Sequence, residues 1–79
     1  MNNLEKYHKV FSKSLSVDET KVNDKLKYND IPEWDSIGHM TLMSDLEEEF
    51  EISIETDDIV DFSSFEKGKE ILKKYKINI

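Results

Sequence analysis

Apolar residues recur every three or four positions along most of this chain, with charged residues between them. In the first segment this spacing places Leu4, Tyr7, Phe11 and Leu15 on one face of a helix. Residues that interrupt helices are scarce, since the 79 residues include two glycines and one proline. A chain of this length makes one domain. The pattern therefore predicts a single all-α domain over residues 1–79.

Three substantial helices and a short one are predicted, so a four-helix bundle is the natural architecture. Proline disfavours helix at the residue before it, which places the start of the second helix after Pro32. Thr56 is expected to cap the short third helix, and Ser63 with Glu66 has the spacing of a capping box for the last one. The predicted helices cover residues 3–15, 35–50, 56 to about 61, and 63 onward.

A long first loop joins the first two helices across residues 16–35. A structureless connection of that length is uncommon in a small domain. This loop contains apolar residues, which we expect to hold it on the bundle, together with a short helical turn near residues 18–22. The expected anchors are Val17, Val22, Leu26, Tyr28 and Ile31.

Charge is distributed unevenly along the chain. Residues 1–27 contain six lysines and four acids, residues 28–66 contain thirteen acids and no base, and residues 67–79 contain five lysines and one acid. A central segment without a base argues against nucleic acid or an anionic membrane as the partner, because both are bound through Lys and Arg. It favours protein partners with basic patches, which are found by electrostatic steering.

Side chains that could ligate a metal or form a disulfide are few. The chain has no cysteine and two histidines, too few for a histidine-based zinc site. The aspartates at 57, 58 and 61 lack the spacing of an EF-hand loop, so no metal site beyond weak surface binding is predicted. No segment has the apolar length of a signal peptide or a membrane span. We therefore expect a cytoplasmic monomer.

Two motifs in the acidic middle of the chain stand out. The first is EWDSIGHM at residues 33–40, and the second is LEEEF at residues 46–50, ten residues after Ser36. With the length, the helix order and the long first loop, these motifs resemble the acyl carrier protein family. In that family an Asp-Ser-Leu motif begins the second helix. The resemblance covers the whole chain, and Asp35-Ser36-Ile37 differs by one conservative change.

The resemblance implies a covalent cofactor on Ser36. The family carries 4′-phosphopantetheine as a phosphodiester on this serine, and Asp35 is part of what the phosphopantetheinyl transferase recognises. A phosphodiester bears one negative charge, which suits the amino end of a helix. The implied protein is not an enzyme itself but a carrier of acyl or aminoacyl groups as thioesters. Its implied partners are that transferase, an acyl- or aminoacyl-loading ligase, and downstream transferases or synthases with basic patches.

The resemblance also implies that partners dock on the second helix. The docking residues would be Ile37, Met40, Asp45, Glu47, Glu48 and Glu49. Carriers of fatty acid synthesis usually have acids just after the serine, where this chain has Gly38, His39 and Thr41. They also have a small residue at the position of Trp34. These departures favour a specialised pathway, such as secondary metabolism, surface polysaccharide or aminoacyl transfer.

Without the resemblance, Ser36 is a plain helix cap and the acids are a solvated face, so the alternative is an unmodified acidic helical protein-interaction module. Ser36 and His39 lie three residues apart and could touch as nucleophile and base. No third group to orient the histidine is evident, and His39 is expected on the exposed side of the helix, flanking the arm. Met40 and Met43 are expected in the interior, where adaptable side chains could shelter a short acyl chain.

Overall fold

The computed structural model describes residues 2–79 and contains four α-helices in a small bundle. The helices are α1 (Asn3–Leu15), α2 (Ser36–Phe50), α3 (Thr56–Asp61) and α4 (Phe65–Lys74). The predicted all-α fold, with its short third helix, is confirmed. No helix among the described residues is long and apolar enough to cross a membrane.

The first loop follows the surface of the bundle and is fastened at several points. It contains the expected helical turn, a 3₁₀ turn at Glu19–Lys21, and it buries Val22 and Leu26. Backbone hydrogen bonds then pair the loop with the α3–α4 connection, where the Phe65 N–H donates to the Leu26 carbonyl over 2.9 Å. Tyr28 is 37% exposed and is a weaker anchor than expected. Trp34 was not predicted to lie in the core, although its side chain is fully buried.

Side-chain caps begin three of the four helices. Asn2 accepts from the Glu5 N–H of α1, and Ser64 accepts from the Lys67 N–H of α4 over 2.9 Å. The predicted capping box at the start of α4 was therefore wrong by one residue, and the third helical position holds a lysine that cannot close the box. The predicted cap of α3 was also wrong, because Thr56 lies inside the helix and the residue before it makes no side-chain cap.

Phe11 is the centre of an aromatic cluster that forms much of the core. Its ring centroid lies 5.1 Å from those of Tyr7 and Trp34, 4.9 Å from Phe65 and 6.0 Å from Phe62. These rings come from α1, the first loop, the α3–α4 connection and α4, so one side chain joins all four segments. Because aromatic pairs stabilise beyond the area they bury, Phe11 is a principal contact of the fold.

The phenol of Tyr7 connects α1 to the start of α4. Its hydroxyl donates to the Phe65 carbonyl over 2.5 Å inside the core. Burial raises the pKa of Tyr7 well above its ordinary value, and the charge of Asp24 adds to the effect. Tyr7 therefore stays protonated and remains a donor. Gly68 faces this contact, and a Cβ there would overlap Tyr7 and Phe62. The close approach explains a glycine inside a helix, where it costs about 1 kcal/mol relative to alanine.

A buried carboxylate attaches the short α3 to the end of α4. Asp58 accepts from the Lys74 ammonium and from the Tyr75 hydroxyl, both at 2.5 Å. The Tyr75 oxygen in turn accepts from the Glu55 N–H over 2.9 Å. Hydrogen bonds from Lys74 first, and then from Tyr75, lower the pKa of Asp58. Asp58 is thus committed to the fold, while Asp57 stays exposed.

Replacing Asp58 with asparagine tests this attachment through its pH dependence. Because the folded-state pKa of Asp58 lies below its unfolded value, its contribution is present above that value and is lost as the pH falls through the folded pKa. We expect D58N to have a lower urea midpoint than the wild-type protein at about pH 7, with the difference shrinking as the pH falls below about 3.9, the ordinary pKa of an aspartate. Circular dichroism measures both midpoints. Asp57→Asn is the matched control on the same helical turn. A difference between D58N and wild type that persisted unchanged at low pH would contradict the prediction.

Candidate functional site

Ser36 is the first residue of α2, and its side chain is exposed. Asp35 precedes it in an extended conformation and caps the helix, since its carboxylate accepts from the Gly38 N–H over 2.9 Å. The helix begins here because a good capping residue follows a turn that contains proline. As a result, the hydroxyl of Ser36 faces solvent at the end of the helix instead of packing against a neighbour.

The amino end of α2 retains capacity to hold an anion. Asp35 satisfies the Gly38 N–H, and the His39 N–H donates to the Asp35 carbonyl over 2.8 Å. Among residues 2–79, the N–H groups of Ser36 and Ile37 have no protein acceptor. Unpaired donors and the helix dipole together favour a negative group at this position. A phosphodiester on the Ser36 oxygen fits these residues.

Gly38 permits the loop to press against the first turn of α2. A Cβ on Gly38 would overlap the carbonyl oxygen of Glu33 and crowd Leu15. The glycine costs helix stability in this position, so its presence is explained by the approach of the loop backbone. The path of the loop up to Ser36 therefore depends on the absence of one methyl group.

His39 belongs to α2, and its half-buried side chain lies between the first loop and α3. Its Nδ1 accepts from the Trp34 indole N–H over 2.9 Å, and its Nε2 lies 2.9 Å from the Ile59 carbonyl. The expectation that His39 flanks the arm on the exposed side of the helix was wrong, because the loop and α3 both pack against this ring. With both nitrogens engaged, the imidazole is not available to take a proton from Ser36. A tryptophan and a histidine five residues apart were the only indication of this arrangement before the structure.

One side of α2 is exposed along its whole length. Ile37 and Met40 are 77% and 59% exposed, which is unusual for large apolar side chains. Met40 was expected both in the interior and on the docking face, and its placement in the interior was wrong. It lies at the edge of the apolar stripe, where no neighbouring element covers it, whereas Met43 is fully buried. The two apolar residues lie within the first two turns after Ser36.

The acids expected to dock partners differ in their surroundings. Asp45 is half-buried and accepts from the Ser14 hydroxyl over 2.6 Å, and Glu47 accepts from the Ile54 N–H over 2.7 Å. Both therefore hold α2 against neighbouring segments. Glu48 and Glu49 are exposed. Glu48 shares the exposed side of α2 with Ile37 and Met40, which gives that side an apolar start and an acidic end.

A hollow of about 250 Å³ lies between the loop and α3. His39 forms part of its wall, and Val60, which is 76% exposed, lies on its rim. The lining residues are Tyr28, His39, Ile59, Val60, Phe62 and Ser63. The hollow thus adjoins the helix that begins with Ser36.

Neither comparison with known proteins assigns the chain to a family. No protein family model matches it, and a search of curated proteins finds no match. The function must therefore be argued from the residues and the geometry.

Proposed function

We propose that this protein is a carrier that receives 4′-phosphopantetheine on Ser36 and delivers acyl or aminoacyl groups between the enzymes of a biosynthetic pathway. The observation that supports it most is the exposed hydroxyl of Ser36 at the first position of α2, capped by Asp35. An exposed serine alone has no such meaning. Here it combines with the Asp-Ser-Ile motif, the acidic second helix and the long first loop.

The attachment step uses only the Ser36 oxygen of this chain. That oxygen forms a bond to the phosphorus that bears pantetheine in coenzyme A, and the pyrophosphate bond to the nucleotide breaks. The hydroxyl proton passes to a base of the transferase, and the nucleotide leaves as a bisphosphate. The product keeps one negative charge beside the free N–H groups of Ser36 and Ile37. When bound, the group supplies a terminal thiol that can hold cargo as a thioester.

The exposed side of α2 supports the choice of partner. Ile37 and Met40 offer an apolar contact near the attachment point, and Glu48 offers charge further along the helix. A partner enzyme with an apolar depression inside a basic rim would complement both parts. The exposed acids among residues 28–66 would add electrostatic steering toward a basic partner.

Intact-mass spectrometry tests the proposal. The purified protein is incubated with coenzyme A and a broad-range phosphopantetheinyl transferase. We expect the mass to rise by one phosphopantetheine group, and peptide mapping to place the group on the peptide that contains Ser36. A carrier domain of another protein, one that the same transferase is known to modify, serves as the positive control. No mass gain, with the control modified, would overturn the proposal and favour the unmodified acidic interaction module.

A further inference from the structure

The loop ahead of Ser36 is joined to α2 and α3 by the side chain of His39. Trp34, two residues before Ser36, donates its indole N–H to His39 Nδ1 over 2.9 Å. On the other side of the ring, Nε2 lies 2.9 Å from the carbonyl of Ile59 in α3. The first loop, α2 and α3 thus meet at one imidazole.

The two partners of His39 determine its protonation. An indole nitrogen is only a donor, so Nδ1 must be the unprotonated nitrogen. A carbonyl is only an acceptor, so Nε2 must bear the proton and donate it to Ile59. The ring is therefore the neutral Nε2–H tautomer. A proton on Nδ1 would face the indole N–H and break the contact.

Aromatic rings shield these two hydrogen bonds. The His39 and Trp34 rings lie edge to edge, 22° from parallel with centroids 6.1 Å apart, and Tyr28 and Phe62 meet the His39 ring at steep angles, at 5.4 and 6.0 Å. Since water has little access to the indole N–H, its loss of a partner would leave a buried donor unsatisfied. Tyr28 is the only titratable side chain among these three rings, and Asp58 on α3 is occupied by Lys74.

Trp34 is also fixed through its backbone. Its N–H donates to the Ile31 carbonyl over 3.1 Å, and its carbonyl accepts from the Asn29 N–H over 3.0 Å. The next residue is Asp35, the cap of α2. Holding the Trp34 side chain against His39 therefore fixes the backbone on one side of the cap, while α2 fixes it on the other.

We propose that His39 is a positioning residue for the modification of Ser36, in which the unprotonated Nδ1 of its neutral imidazole holds Trp34 and so keeps the Asp35 cap and the Ser36 hydroxyl in place, while Ile59 orients the ring. The inference rests on the proposed function, but its structural part can be measured without any modification. It gives His39 a role that is neither that of a base nor that of a partner contact.

Two substitutions separate the halves of the contact. In His39→Asn the side-chain oxygen can occupy the place of Nδ1 and accept from Trp34, while the bond to Ile59 is lost. In His39→Gln the side-chain nitrogen can reach the Ile59 carbonyl, while Trp34 loses its acceptor. We expect H39Q to lower kcat/KM for transferase modification by about tenfold, and H39N to stay within about threefold of wild type.

Amide hydrogen exchange by NMR gives a readout that does not require modification. In H39Q we expect the Trp34 indole N–H and the Gly38 N–H to exchange about tenfold faster than in the wild-type protein. The Gly38 N–H reports on the cap because it donates to the Asp35 carboxylate. The Leu72 N–H in the core of α4 controls for global stability, and the changes at Trp34 and Gly38 should exceed any change there. In the wild-type protein, imidazole nitrogen shifts should report the Nε2–H tautomer.

The outcomes are distinguishable. Equal effects of H39Q and H39N on modification and on Gly38 exchange, or wild-type behaviour of H39Q, would overturn the positioning role. The opposite tautomer would do the same. If no transferase modified the wild-type protein, the proposed function would fail. The exchange of the Gly38 N–H in the two variants would then decide alone whether His39 holds the start of α2.

Discussion

Replacing Ser36 with alanine is expected to abolish the gain of phosphopantetheine completely. The reason is chemical, because the variant has no oxygen at the start of α2 to form the bond to phosphorus. The fold should not change, since Asp35 and not Ser36 provides the side-chain cap and alanine is a good helix former. We expect the free energy of unfolding to stay within about 0.5 kcal/mol of wild type. Intact mass and urea unfolding measure the two effects.

Ser44→Ala is the matched control for this variant. Ser44 is exposed on the same side of α2, eight residues after Ser36. It offers a hydroxyl within the helix, away from the unpaired N–H groups at the amino end. We expect S44A to be modified like the wild-type protein. A mass gain in S36A equal to that of wild type would show that attachment occurs elsewhere and would defeat the carrier assignment of Ser36.

Phe11→Ala is expected to cause a large loss of stability. Truncating a buried phenylalanine costs about 3–5 kcal/mol, from lost burial and from the cavity left behind. Phe11 is fully buried and contacts Tyr7, Trp34, Phe62 and Phe65. A domain of this size has about 5–15 kcal/mol of stability in total. The variant should therefore lose a large fraction of its folding free energy.

Urea unfolding followed by circular dichroism measures this loss, with Leu4→Ala as the control. Leu4 lies on the same helix but is 43% exposed, so its truncation should cost less than about 1 kcal/mol. Because Trp34 packs on Phe11, fluorescence of the single tryptophan should report the same transition. Similar losses for F11A and L4A would mean that the aromatic cluster is not the principal contact of the fold.

The helices were predictable because the signals that define them act within a few residues. The bounds of α1 and α2 agree with the apolar spacing and with the capping side chains of Asn2 and Asp35. The cap of α4 was misassigned because adjacent Ser63 and Ser64 are equally suitable in composition. The cap of α3 was misassigned because Thr56 lies inside that helix. The position of Ser36 at a helix start was predictable for the same reason as the helix itself.

Other features depend on residues far apart in the chain. The exposure of Met40 depends on which neighbours cover the edge of α2, and the burial of Trp34 depends on where the first loop runs. The partners of His39 and Asp58 come from different elements. Composition and periodicity do not specify such pairs, because periodicity marks an apolar face but not the segment that covers it.

The amino-acid sequence by itself determined a helical fold, the order of its helices, the bounds of α1 and α2, and a serine at the amino end of α2. Those properties follow from local periodicity and capping. Only the tertiary structure decided that Gly38 and Gly68 admit close neighbours, and that a neutral His39 joins Trp34 to Ile59. The physical reason is that these are contacts between segments, which depend on packing in three dimensions.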